Sequence, residues 1–114
     1  MRMYGIKTCG SVKKAMGFFK AAGIAYDFVD LKSEPVDEGK IRGWLTKSDL
    51  KTLLNTKGTK YRSLGLGAMD LNDDQKVQWM ARENLIIKRP VIETDDGQIV
   101  IGYDEARYGE LFGG

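Results

Sequence analysis

The chain has 114 residues, 42% of them hydrophobic and 30% charged, with 18 Lys and Arg against 16 Asp and Glu, one cysteine and no histidine. That is enough for one domain with its own core, needing neither disulfide nor metal to fold, and a lone cysteine cannot form an internal disulfide. Without histidine, Cys–His and Ser–His–Asp catalysis are excluded, and with a single cysteine a zinc site is not expected, while a net charge of +2 is too small to indicate nucleic acid by itself.

Residues 2–6 read as a short strand, with Tyr4 and Ile6 on one face and Met3 and Gly5 on the other. A tight turn carries Cys9, and a helix follows with Val12, Ala15, Met16 and Phe19 at helical spacing, Ala22 near its end and Gly23 as its stop signal. Residues 25–30 form a second strand, so the first segment predicts a right-handed βαβ unit with parallel strands. Past Pro35, Asp37 is expected to cap a helix bearing Ile41, Trp44 and Leu45, and Ser48 a short one bearing Leu50, Leu53 and Leu54. Residues 55–67 read as loop or broken helix. Asn72, Asp73, Asp74 and Gln75 form a capping-box start for a helix that turns Val77, Met80 and Ala81 to the core. Leu85-Ile86-Ile87 is interrupted at Arg89-Pro90 and resumes as the strand Val91-Ile92. Asp95-Asp96-Gly97 turns the chain into the antiparallel strand Ile99-Val100-Ile101, and Asp104 caps a last helix with Ala106, Tyr108, Leu111 and Phe112.

The order β-α-β, helices, β-β-α predicts an α/β chain. Its two ends resemble a thioredoxin-like fold with a four-stranded mixed sheet: a core over about 1–34 and 85–114, and an inserted helical subdomain over about 35–84. No apolar run approaches the ~18 residues of a membrane span, and a lone thiol with no signal peptide points to the reducing cytoplasm.

Cys9 is the one strong nucleophile. At a helix N-terminus, backbone N–H groups and nearby cations (Lys7, Lys13, Arg89) favour thiolate over thiol. The alternative is an inert cysteine packed as a small apolar side chain. The segments 1–14, 57–62 and 88–89 hold half of the 18 positive charges and no acid, either as solvated surface or as an anion site if they meet. Val12 stands where a dithiol reductase has its second cysteine, so a mixed disulfide at Cys9 needs an external thiol to resolve it. Glutathione supplies that thiol, with carboxylates suited to the basic segments. Pro90 marks a strand edge or turn; Arg89 is either a surface charge or a partner of the thiolate.

Four stretches in order resemble the ArsC/Spx family, and its YffB branch in particular: Tyr4-Gly5-Ile6-Lys7-Thr8-Cys9 with Val12-Lys13-Lys14-Ala15; Leu53-Leu54-Asn55-Thr56-Lys57-Gly58-Thr59; Ile86-Ile87-Lys88-Arg89-Pro90; and Ile101-Gly102-Tyr103. The resemblance implies a thioredoxin-like core in which Cys9 is the active cysteine and a cis-proline at Pro90 faces it, presenting backbone to a bound peptide. Arsenate reductases of this family add three oxyanion-binding arginines. Here only Arg89 remains, since the first position is Asn55 and the third Gly102. Spx-type regulators carry a Cys-x-x-Cys switch, absent here, and bind the RNA polymerase α-subunit. The YffB branch shares the single cysteine, Asn55 and Gly102, and implies a glutathione-dependent thiol reductase. In that reading Cys9 is the nucleophile, Lys7, Arg89 and Pro90 engage glutathione as co-substrate, and Lys13 and Asn55 are further site residues. No metal, membrane or direct nucleic-acid partner is expected; a protein disulfide is a candidate substrate, with arsenate reduction or polymerase binding as alternatives.

Overall fold

The computed structural model describes residues 1–113. In chain order the elements are β1 (Arg2–Gly5), α1 (Gly10–Ala22), β2 (Asp27–Asp30), α2 (Glu38–Leu45), α3 (Leu50–Leu53), α4 (Thr59–Ser63), α5 (Asp73–Arg82), β3 (Val91–Glu93), β4 (Ile99–Ile101) and α6 (Glu105–Phe112). Short 3-10 turns occupy Leu66–Ala68 and Asn84–Ile86. The chain divides into two compact units, Met1–Asp30 with Arg89–Gly114, and Leu31–Lys88.

The first unit is a mixed four-stranded sheet in the order β2-β1-β3-β4, the thioredoxin-like arrangement. β1 pairs in parallel with β2 and antiparallel with β3, and β3 antiparallel with β4. The register sets Met3 against both Phe28 and Ile92, and Ile92 against Val100, so side chains of one row share a face. On it the buried Met3, Ile92 and Val100 cluster with Val12, Ala15 and Phe19 of α1 and Tyr108 of α6. Burying each large apolar side chain contributes about 1.5–3 kcal/mol, which is why this stripe holds α1 to the sheet. Phe19 stacks on Tyr108 at 5.8 Å and meets Phe112 edge-on at 5.2 Å. α1 ends as its sequence demands: Gly23 adopts φ 70°, and the N–H of Ile24 donates to the Phe19 carbonyl at 2.9 Å. Ala22 lies outside the apolar stripe and is exposed.

Gly5 is required by close approach. A β-carbon there would stand 2.7 Å from Cγ2 of Val12, so the end of β1 lies directly against the first turn of α1.

The second unit is helical, with Ile41, Trp44, Leu53, Leu66, Val77, Met80, Ile86 and Ile87 buried. Asp37 caps α2 by accepting from the N–H of Lys40, and Asn72 and Gln75 form the reciprocal capping box of α5. α3 differs from expectation: Asp49 caps it, accepting from Thr52 N–H at 2.8 Å, while the Ser48 hydroxyl donates back to the Trp44 carbonyl. A carboxylate is the better partner for a positive helix terminus, and the Ser48 hydroxyl is spent on the preceding helix end. Residues 55–67 contain the short helix α4. Ala81 is only half-buried, and Leu111 of α6 is 40% exposed, because each lies to the side of its helix's core-facing line.

Apart from tyrosines, Asn84 is the one buried polar or charged side chain among the described residues. Its Oδ1 accepts from the Val36 N–H at 2.7 Å, and its Nδ2 donates to the carbonyls of Val36 at 3.1 Å and Met80 at 2.8 Å. It satisfies backbone groups of the α2 approach and of α5 together, which a buried amide must do to avoid an unmet desolvation cost. No helix among the described residues is long and apolar enough to cross a membrane.

The close approach at Gly5 makes a direct prediction. Gly5→Ala destabilises the fold by about 1–3 kcal/mol in urea denaturation, through overpacking. The loss is smaller when introduced into a Val12→Ala background, because the contacting methyls are gone.

Candidate active site

Cys9 follows β1 and is the N-cap residue of α1, with φ −74° and ψ 128°. Its N–H donates to the Ile6 carbonyl at 3.1 Å, closing the turn, and its carbonyl accepts the first helical bond from Lys13 N–H at 3.0 Å. Backbone bonds on both sides therefore fix the residue, and the sulfur is half-buried against the core. The sulfur makes no capping hydrogen bond by strict geometry, yet the N–H groups of Val12 and Ser11 lie close enough to act on its charge.

Several opposing effects set its ionisation. Burial is the largest and pushes the Cys9 thiol up, because it penalises the thiolate. Against it stand the Val12 N–H, the Arg89 side chain as donor, the Ser11 N–H and the Arg89 charge, and together they hold the thiol below its ordinary value. These are aligned helix-terminal dipoles plus one guanidinium, both of which favour a nucleophilic sulfur.

Arg89 reaches the sulfur because of the sheet. β1 and β3 are antiparallel neighbours with Tyr4 paired to Val91, so the segment leaving β1 and the segment entering β3 lie at the same end. The Arg89–Pro90 peptide bond is cis. Pro90 is buried, and its carbonyl accepts from the Gly102 N–H at 2.8 Å. The Gly102 carbonyl in turn accepts from the buried Tyr108 hydroxyl at 2.6 Å. Burial is the main cause that raises the Tyr108 phenol well above its ordinary value, so it remains a donor at neutral pH. Gly102 has φ 80°, a left-handed conformation that side chains disfavour. Tyr108, Gly102 and Pro90 thus form a buried polar relay behind Arg89. Sequence reading missed this relay; its only trace is a glycine after β4 followed by the Asp104 cap and an aromatic residue one turn into α6.

The other candidate residues are distributed differently. Lys7 and Lys13 are exposed. Asn55 belongs to the helical unit, where its N–H donates to the Ile86 carbonyl at 2.8 Å. Within the basic run 57–62, Lys60 pairs with Glu83 at 3.8 Å and the Arg62 guanidinium donates to the Lys57 carbonyl at 2.7 Å.

The ArsC family model, described as such, matches residues 4–111. The chain belongs to the ArsC family. Among its relatives in that family, an uncharacterized protein of Haemophilus influenzae is 30% identical over 111 residues, covering 96% of each chain. A global transcriptional regulator Spx of Lactiplantibacillus plantarum is 23% identical over 90% of this chain and 79% of its own. Among solved structures, the YFFB (PA3664) protein matches with a TM-score of 0.85 and 31% identity, covering 96% of each chain. The ArsC-family match spans both Cys9 and the Arg89–Pro90 segment.

Three outcomes follow from this geometry. The rate of Cys9 alkylation by iodoacetamide rises with a midpoint below that of a free thiol, and the midpoint moves up in Arg89→Gln, as pH–rate profiles would show. By linkage, a thiol lowered in the folded state adds stability above the unfolded-state value and loses that contribution as pH falls through the folded value. Cys9→Ser therefore has its largest relative stability loss at alkaline pH. Tyr108→Phe leaves the Gly102 carbonyl buried without its donor and costs about 1–3 kcal/mol in chemical denaturation.

Proposed function

We propose that this ArsC-family chain is a glutathione-dependent thiol–disulfide reductase with Cys9 as nucleophile. The observation that carries the reading is a half-buried thiol lowered below its ordinary value by the Val12 N–H, Arg89 and the Ser11 N–H, with valine where a resolving cysteine would stand. The Cys9 thiolate attacks the glutathione sulfur of a mixed disulfide R–S–S–G. A Cys9–glutathione disulfide forms, and R–S⁻ leaves and takes a proton from solvent. The thiolate of a second glutathione then attacks the glutathione sulfur on Cys9, giving oxidised glutathione and restoring the Cys9 thiolate. The net change converts R–S–S–G and one glutathione to R–SH and oxidised glutathione. Arg89 stabilises Cys9 as both nucleophile and leaving group, and the Pro90 segment offers backbone to the peptide. Lys7 and Lys13 supply exposed positive charge for the glutathione carboxylates.

Arsenate reduction would draw on the same thiol and Arg89, which is the observation in its favour. It lacks two oxyanion arginines, and at Gly102 the backbone φ of 80° disfavours any side chain that would restore one. The polymerase-binding reading rests on likeness to Spx alone, and Val12 removes the dithiol switch.

Intact mass spectrometry tests the proposal. Incubation with oxidised glutathione adds one glutathionyl group to the chain, reduced glutathione removes it, and Cys9→Ser abolishes it. Arg89→Ala slows adduct formation by roughly tenfold, the expected loss of one charge-assisted contact. An adduct that forms equally in Cys9→Ser, or none at all, would defeat the reading.

A further inference from the structure

The helical unit holds an open cavity of about 320 Å³ that the thiol chemistry does not use. Lys51, Lys57 and Lys88 line it, together with Thr52, Asn55 and Thr56, and no carboxylate does. Among the described residues, none of these three ammonium groups has an ion pair, in contrast to the neighbouring Lys60 with Glu83. The neutral side chains include donors to spare: among the described residues, neither the Asn55 amide nor the Thr56 hydroxyl has a hydrogen-bond partner. Thr52 is already committed, since its hydroxyl donates to Asp49 at 2.8 Å.

The wall is built rather than incidental. Leu54 and Ile87 form an antiparallel bridge, the Lys88 N–H donates to the Leu53 carbonyl at 2.7 Å, and the Asn55 N–H to the Ile86 carbonyl at 2.8 Å. These bonds pin two segments distant in sequence side by side and bring Lys57 and Lys88 to one cavity. The loop carrying Lys57 is held in turn by the Arg62 guanidinium on the Lys57 carbonyl. Gly58 lies so close to Asn55 that a β-carbon would stand 2.8 Å from Nδ2. Asp49 sits beside Lys51 and stays ionised, its carboxyl lowered first by the Thr52 hydroxyl, so the uncompensated charge belongs chiefly to Lys57 and Lys88.

We infer that this cavity is a binding site for the phosphate group of a small ligand, independent of the Cys9 reaction. Lysines act as separate point charges, converging from two chain segments with an amide and a hydroxyl between them. That arrangement suits a tetrahedral, multiply charged oxyanion; a planar carboxylate is better matched by the fork of an arginine. Phosphate can come free or as an ester, and the two sources are separable by experiment.

The test is a titration of the full ¹⁵N-labelled chain with inorganic phosphate, phenyl phosphate and acetate, each against chloride at equal ionic strength. Saturable shifts confined to residues 51–57 and 88 are expected with both phosphates and not with acetate or chloride. Equal affinity for the two phosphates assigns free phosphate; tighter phenyl phosphate assigns a phosphorylated small molecule. Lys57→Ala with Lys88→Ala weakens binding at least about tenfold, Lys51→Ala weakens it less, and Cys9→Ser leaves it unchanged. Unchanged amide shifts outside the cavity report that the variants fold. Non-saturating shifts, shifts at every surface lysine, equal binding of acetate, or indifference to the double substitution would overturn the assignment.

Discussion

The chemistry of this chain depends on a contest at one sulfur. Burial against the core disfavours a charged Cys9, while the guanidinium of Arg89 and the N–H groups opening α1 favour it, and the second set prevails. Neither half suffices alone. A helix terminus in open water would lower the thiol only modestly, and a guanidinium at a distance would be screened. Half-burial lowers the local dielectric and so strengthens the very contacts that offset its own cost.

That contest is set up by strand pairing. Arg89 lies far along the chain from Cys9 and meets it because β1 and β3 are adjacent and antiparallel, with Tyr4 opposite Val91. The position of Arg89 is backed by the Tyr108–Gly102–Pro90 relay, so a tyrosine of the last helix supports the residue that tunes the thiol. At Gly102 the backbone adopts a positive φ that glycine accepts readily and a side chain does not.

The basic residues that cluster along the sequence do not act as one group. Arg89 is engaged with the thiol, Lys60 with Glu83, and Arg62 with a backbone carbonyl, whereas Lys57 and Lys88 line a cavity of the helical unit. Charge density along a chain thus translates into several distinct local roles. The neighbours that each side chain finds on folding decide among them.

Local order was legible because its causes are local. The Val12–Ala15–Phe19 stripe, the Gly23 stop, the Asn72–Gln75 capping box and the Asp95-Asp96-Gly97 turn each rest on residues a few positions apart, and each appears as read. The lone cysteine and the absence of a second one at Val12 also limit the redox chemistry without any structure. Where two nearby residues competed for one role, reading was less secure: Asp49 displaced Ser48 as the cap of α3 because Ser48 had another acceptor within reach. What only the tertiary structure decided are the partners brought from far along the chain. Arg89 reaches Cys9, Tyr108 holds Gly102, Asn84 clasps Val36, and Lys57 and Lys88 line one cavity. Composition and periodicity specify which face of an element is buried, but the identity of a side chain's neighbour depends on strand order and register, which are properties of the whole packed chain.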